Sequence, residues 1–458
     1  MKIITFTTLA LLLLSTNVHA QEQKNEPQTL TNVLRHTYLK NPTLNIARRE
    51  LRRVHEQLPQ ALAGWRPTLQ VELSTNISDI EGSAYGSSAD GSHEKTANIQ
   101  LSQPLFRGGK TISQVKAAKN IIRAQNAMLS LTEQQVLRDA VSAYMDVVRN
   151  NALLSLSIKN KEVIEQQLQA TKDRFDVGSV TKTDIKQAEA RLAGAEADII
   201  RISGDLDTSS AVYKQVVGIT PNNLSKEVIL PPLPLTLADA LSIGKKHSPN
   251  TMIARFLHSA QDDNINSIVG DLLPQINLLA RHSQTHDPYP GIPSVDQTDE
   301  SIIGVYATIP LYQGGTTRSK VREAKEEKMA RYIQINETEL QVEQNIISSW
   351  KSFETAKTEI NARKTQVDAS RIARDGVYME AEQGSRTVLD MLDADQELLN
   401  AEVNLIIAES NEIVTAYTLA SVLGYLTPSN LNFSDSAIDL NNHLTLISGK
   451  IFSMDIPD

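Results

Sequence analysis

The sequence predicts an α+β chain whose two halves each join a pair of strands to a pair of long antiparallel helices. Three observations carry this reading: an internal repeat, four short segments of alternating hydrophobicity, and a long proline- and glycine-free stretch with a counterpart in the second half. In the repeat, Thr29-Leu30-Thr31-Asn32-Val33-Leu34 returns as Thr236-Leu237-Ala238-Asp239-Ala240-Leu241, and Pro67 as Pro274. Pro104-Leu105-Phe106-Arg107-Gly108-Gly109 returns as Pro310-Leu311-Tyr312-Gln313-Gly314-Gly315, Gly178-Ser179 as Gly384-Ser385, and Pro221-Asn222-Asn223-Leu224 as Pro428-Ser429-Asn430-Leu431. The offset slips by a single residue between the Pro67 and Pro104 matches, which chance does not produce. The expected organisation is a first structural repeat over 21–224, a proline-rich linker over 225–235, a second repeat over 236–431 and a C-terminal tail over 432–458.

Residues 1–20 read as a secretory signal peptide. Met1-Lys2 supplies a positive charge, an apolar run follows to Leu14, and Val18-His19-Ala20 ends in small residues at the cleavage point. The run is too short to span a membrane, and no later run is long enough either. A helical pattern over 30–63 follows, with Pro42 suited to a first helical turn, and Pro67 ends it. Over 68–75, Leu69, Val71 and Leu73 alternate with Gln70, Glu72 and Ser74, as on a half-buried strand. Residues 97–105 alternate in the same way, and the second copy supplies 275–280 and 302–309. The stretches between paired strands, 76–96 and 281–300, are polar and rich in turn formers, so they are expected as loops. Residues 111–175 hold no proline or glycine, and Val115, Ile122, Leu129, Val136 and Ala143 fall on seven-residue steps, as a coiled-coil seam requires. A helix of that length is a rod of roughly 100 Å. Gly178 and Gly384 mark tight turns, after which return helices are expected over 181–217 and 387–423.

Composition narrows the function. Among 458 residues there are 0 cysteines, which excludes disulfides, thiolate metal sites and a cysteine nucleophile. A net charge of −9 argues against nucleic acid as a partner. Gly108-Gly109-Lys110-Thr111 lacks the upstream glycine of a phosphate-binding loop, because Pro104 stands there. His93-Glu94 has no second histidine at zinc-protease spacing, and no nucleophile-elbow motif occurs. No catalytic group, cofactor or metal is therefore expected, and the chain is not read as an enzyme. Arg48-Arg49 and Arg52-Arg53 around Glu50 read as a solvated helix face.

The polar residues of interest follow the two tight turns. Thr183-Asp184 come shortly after Gly178, and Arg386, Asp390 and Asp393 after Gly384. Acids in a first helical turn complement the helix dipole, which accounts for Asp184 and Asp390 but less well for Asp393, one turn deeper.

The two strand pairs, the duplicated Pro-Leu-Phe/Tyr-x-Gly-Gly, Arg174-Phe175-Asp176-Val177-Gly178 and Gly384-Ser385-Arg386-Thr387-Val388-Leu389-Asp390-Met391-Leu392-Asp393 together resemble the TolC family of outer-membrane efflux ducts. The resemblance implies a homotrimer in outer-membrane lipid, with four strands per chain forming a shared β-barrel and long helices continuing it as a periplasmic coiled-coil tunnel. It also implies two partners, a periplasmic adaptor and an inner-membrane transporter, and a passive role in efflux or type I secretion. Thr183, Asp184 and Arg386 would then join in closing the periplasmic gate, while Asp390 and Asp393 would ring the bore and could attract cations. Where well-known members carry a gate tyrosine, this chain has Ala381. Gly64-Trp65-Arg66-Pro67 resembles members that serve protein secretion. Independently of the resemblance, four strands cannot close a barrel alone, and open edges cannot face lipid. The alternative, a soluble periplasmic coiled-coil adaptor, has no need of strand pairs.

Overall fold

The structure is a computed structural model that describes residues 28–80, 89–286, 296–431, 433, 441–450 and 453–455. The expected signal peptide lies outside them. The first copy begins with α1 (Leu30–Lys40), α2 (Pro42–His55) and α3 (Gln57–Leu62). Asn41 breaks the expected single helix: its side chain accepts from the Leu44 N–H at 3.2 Å and donates to the Val216 carbonyl at 2.7 Å. Pro42 then occupies the first turn of α2. Strands β1 (Thr68–Ile80) and β2 (Ala89–Arg107) lead into α4 (Lys110–Asp176) and its return helix α5 (Lys182–Val217). The second copy repeats the order: α6 (Leu237–His247), α7 (Pro249–Gly270), β3 (Gln275–His286), β4 (Gln297–Thr308), α8 (Thr316–Glu382) and α9 (Val388–Val422). Both long helices, α4 and α8, have 67 residues.

The four strands form one antiparallel sheet in the order β1-β2-β3-β4, so β1 and β4 are open edges within the chain. Register sorts the side chains into two faces, because directly opposed residues share a face. Leu69, Leu101, Ala280 and Ile303 lie across one face, beside Val71, Ile99, Leu278 and Val305. The opposite face carries Gln70, Gln100 and Arg281, with Glu72, Asn98, Ser283 and Glu300. On that polar face Arg281 pairs with Glu300 at 2.8 Å. The apolar face is unusually exposed, Leu73 at 76% and Ile303 at 77%. Its outer border is oblique, reaching Leu73 and, past Thr75, Ile77 on β1 but ending at Ile303, level with Leu69, on β4. Such a slope fits strands tilted to a membrane normal.

The strands run further than alternation predicts. Much of 76–96 and 281–300, expected as loop, is paired strand, for example Asn76 opposite Glu94 and Ser283 opposite Glu300. Backbone pairing continues wherever N–H and C=O groups face each other, whatever the side chains. Residues 81–88 and 287–295 of those loops are not among the described ones.

Each strand-to-helix junction turns on a glycine pair. Gly108 and Gly109 have φ of +60° and +77°, and Gly314 and Gly315 +61° and +79°. At Gly108 a Cβ would also stand 2.3 Å from the Gly270 carbonyl oxygen. Gly64 has a local reason as well, since a Cβ there would meet the Arg107 guanidinium at 2.7 Å. The adjoining Trp65 carbonyl accepts from Gln103 Nε2 at 2.9 Å.

The seam residues Val115, Ile122, Leu129, Val136 and Ala143 are all buried. The largest core lies midway along the helices, where α1 packs on α4 around Leu34, Leu137, Tyr144 and Tyr213. There Tyr144 Oη reaches the carbonyls of Gln28 at 2.9 Å and Ser225 at 2.7 Å, which ties the segment before α1 and the linker to α4. Buried Gln134 donates to the Leu426 carbonyl at 3.0 Å and accepts from the Leu426 N–H at 2.9 Å. One reading needs correction. Arg48 is buried rather than solvated, donating to the Tyr38 carbonyl at 2.6 Å with its guanidinium 4.7 Å from the Tyr38 ring centre. The tail, outside the repeat, forms α10 (Asn441–Ser448), which docks Leu444 onto Val54, Leu58, Val115 and Ile122. His443 of α10 meets His55 of α2, Nδ1 to Nδ1 at 3.3 Å.

Candidate functional site at the helix tips

The two tips are built alike. α4 ends at Gly178, φ +75°, where Gly178 and Ser179 donate back to the carbonyls of Phe175 and Arg174 at 2.8 and 2.9 Å. At the second tip Gly384, φ +79°, and Ser385 donate to Ala381 and Glu380, both at 3.0 Å. The left-handed glycine satisfies the last helical carbonyls and reverses the chain. Each return helix then starts on a reciprocal cap. Thr181 and Asp184 exchange side-chain-to-backbone bonds at the head of α5, and Thr387 and Asp390 do so at the head of α9. The backbone and side-chain bonds from Thr387 to the Asp390 carboxylate, with the nearby charge of Arg386, hold its pKa below the ordinary value.

Within one chain the five expected residues occupy two neighbouring tips rather than one cluster. Thr183 is exposed and Asp184 serves its cap. Arg386 folds back on its own turn, Nε to Glu380 Oε2 at 2.8 Å. Asp390 caps α9. Asp393 extends to Arg191 of α5, Oδ1 to Nη2 at 2.5 Å. Beneath them lies an apolar cluster of Leu168, Ala188, Ala381, Val388, Met391 and Leu392. Ala381 is therefore a packing residue between hairpins.

Three partners were not legible as site residues. Tyr378 Oη donates to Asp395 Oδ2 at 2.5 Å, and the Arg374 guanidinium lies 5.6 Å from the Tyr378 ring centre. Asp395 is only 9% exposed, and burial raises its pKa despite Tyr378 and Arg374. Arg191, after Tyr378 and Asp395, is the third. A signal existed for Asp395: it interrupts the apolar stripe Val388, Met391, Leu392, Leu398 at helical spacing, where a charge must find a partner. Arg191 gave none, because its partner is remote in sequence.

Long helix hairpins hung from a four-stranded sheet with one exposed apolar and one polar face define an outer-membrane channel-tunnel, a conduit rather than a catalyst. Among the described residues no helix is long and apolar enough to cross a membrane. The family model for outer membrane efflux proteins matches residues 33–218 and 242–425, and the chain belongs to that family. It is thus a channel-tunnel of the kind used in tripartite efflux and secretion, placed in the outer membrane with its helices in the periplasm. Outer membrane efflux protein BepC of Brucella suis is 33% identical over 431 residues, covering 94% of this chain and 93% of that protein. Outer membrane protein TolC of Escherichia coli is 25% identical over 438 residues, covering 92% and 86%. The crystal structure of the Campylobacter jejuni CmeC outer membrane channel superposes with a TM-score of 0.76 at 14% identity, covering 92% of this chain and 89% of that one, a likeness of fold.

Proposed function

We propose that three copies of the chain close into one duct that carries cargo from an inner-membrane transporter and a periplasmic adaptor to the cell exterior. One observation carries the reading: the sheet has an apolar face and a polar face but two open edges, β1 and β4. In lipid each unpaired edge group costs several kcal/mol, and sheets from three chains supply twelve strands that pair all of them. The polar face then lines the bore and the apolar face meets lipid. In this reading residues 1–20 are an export signal, and residues 225–235 join the two repeats. The family name and the 33% identical efflux relative support efflux as the use.

The adaptor and transporter engage the tips. Thr183, Asp184 and Arg386 link neighbouring hairpins, and Asp390 and Asp393 from three chains ring the bore. Arg386 supports this role because it uses Nε for Glu380, and among the described residues its other nitrogens make no bond within the chain.

Mass measurement in mild detergent is expected to give three chains, and a stable monomeric pore in bilayers overturns the assembly. Tags placed at Ser87 and Pro290 are expected to be reachable on intact cells. Recovery in the soluble periplasm without detergent would instead support the adaptor alternative.

A further inference from the structure

Helices α5 and α9 belong to different hairpins, and outside its own hairpin α9 rests mainly on α4. Near the tips one polar link joins them, Arg191 Nη2 to Asp393 Oδ1 at 2.5 Å. Among the described residues no other hydrogen bond or ion pair connects α5 with α9. Other polar bonds between charged or hydroxyl groups at the second tip stay inside its own hairpin, Tyr378 to Asp395, Arg386 to Glu380, and Thr387 to Asp390, and the further crossing contact is the weak, uncharged one from Gln167 Nε2 of α4 to Met391 Sδ at 3.8 Å. They stiffen the α8–α9 hairpin as a body without resisting its movement against α4–α5. The apolar contacts of Leu168 and Ala188 with Met391 and Leu392 do resist separation, but such contacts are non-directional and tolerate sliding. A charge-assisted bond between long and short side chains does not tolerate it in the same way.

We propose that Arg191 is the latch between the two hairpins and the residue that sets the charge of the inner mouth. It holds α9 against α5 and cancels the charge of Asp393, so that Asp390 dominates the ring facing the bore. This rests on the tip gate described above. It adds a residue that the two tip turns did not mark out, and it supplies a link where Ala381 offers only packing.

Arg191→Gln keeps the stem and removes the charge, and planar-bilayer recording of the full trimer reads both roles. Three weak exposed ion pairs acting in one opening step shift the closed-to-open ratio by roughly tenfold, so conductance should rise. With Asp393 unpaired, La3+ should block the bore at lower concentration than in the parent. Asp393→Asn should also raise conductance but weaken the block. The swap of Arg191→Glu with Asp393→Lys should restore the low conductance, and Arg191→Lys should retain most of it. Unchanged conductance in Arg191→Gln, with a rise in Arg386→Ser, overturns the latch and leaves the gate standing. If neither variant conducts more than the parent, the tip gate falls as well. A rise in conductance with unchanged La3+ block overturns the charge-setting role. Should Arg191→Gln fail to give the trimeric mass, the Asp393→Asn and swap variants decide the same question.

Discussion

Replacing Tyr378 by phenylalanine removes one oxygen from the second tip and leaves the ring in place, so no cavity opens. The lost bond joins a hydroxyl to the nearly buried carboxylate of Asp395 at 2.5 Å. Hydrogen bonds to charged groups contribute about 1.5–3 kcal/mol, and the carboxylate left behind keeps its desolvation cost. The α8–α9 tip should therefore open locally by about that much more often, or roughly 10- to 100-fold in amide exchange. The pH dependence has a definite sign. Burial raises the Asp395 pKa above its ordinary 3.8, while Tyr378 and Arg374 pull it down. An acid whose folded pKa is raised supports the fold fully below its unfolded value and loses that support as pH climbs through the folded value. Without the Tyr378 hydroxyl the folded pKa rises further, so Tyr378→Phe should be more damaging at pH 7 than near pH 4. Hydrogen exchange by mass spectrometry over residues 370–400 measures both effects. Equal exchange in variant and parent at pH 7, or the same loss at both pH values, refutes the argument.

The two junction glycines should differ under the same substitution. Gly108→Ala drives a Cβ against the Gly270 carbonyl at 2.3 Å and should abolish trimer recovery, whereas Gly109→Ala meets open space and should pay only the left-handed penalty of about 1 kcal/mol, read as a small fall in melting temperature. Acid should undock α10. Burial foremost, then His443 and Arg52, push the His55 pKa down from 6.5 to about 4, and burial, Arg52, Lys450 and Arg49 lower that of His443 against an opposing effect of Glu56. The unfolded histidine thus binds a proton that the docked one refuses, so docking is strongest above about pH 6.5 and weakens as pH falls towards 4. Protease cleavage near residues 441–450 should accelerate at pH 5 relative to pH 7.5, and His55→Phe should flatten that dependence; cleavage indifferent to pH in the parent counts against it. Leu392→Ala, in the tip cluster, should destabilise the tip by about 2–5 kcal/mol, and unchanged exchange there would mean that the cluster is not packed as described.

The fold was legible where a local signal repeats. The duplicated Pro-Leu-aromatic-x-Gly-Gly turns, the alternation around Leu69 to Leu73 and the seven-residue steps from Val115 to Ala143 each constrain the backbone over a few residues, and each became the expected kind of element. Boundaries failed where pairing or packing overrides alternation, as in the polar ends of β1 to β4, the break at Asn41 and the docked α10. At the tips, Asp184 and Asp390 were placed by their distance from Gly178 and Gly384, because a cap is a relation between near neighbours.

The sequence alone thus determined the two-copy organisation, by its repeat, and the glycine turns and acidic first helical turns, which depend on residues close together in the chain. Only the tertiary structure decided which charges meet. Arg191 and Asp393, Tyr378 and Asp395, and His55 and His443 are brought together by hairpins folding side by side. No periodicity encodes such pairs, since their separation in sequence is set by helix length and their encounter by how whole helices pack.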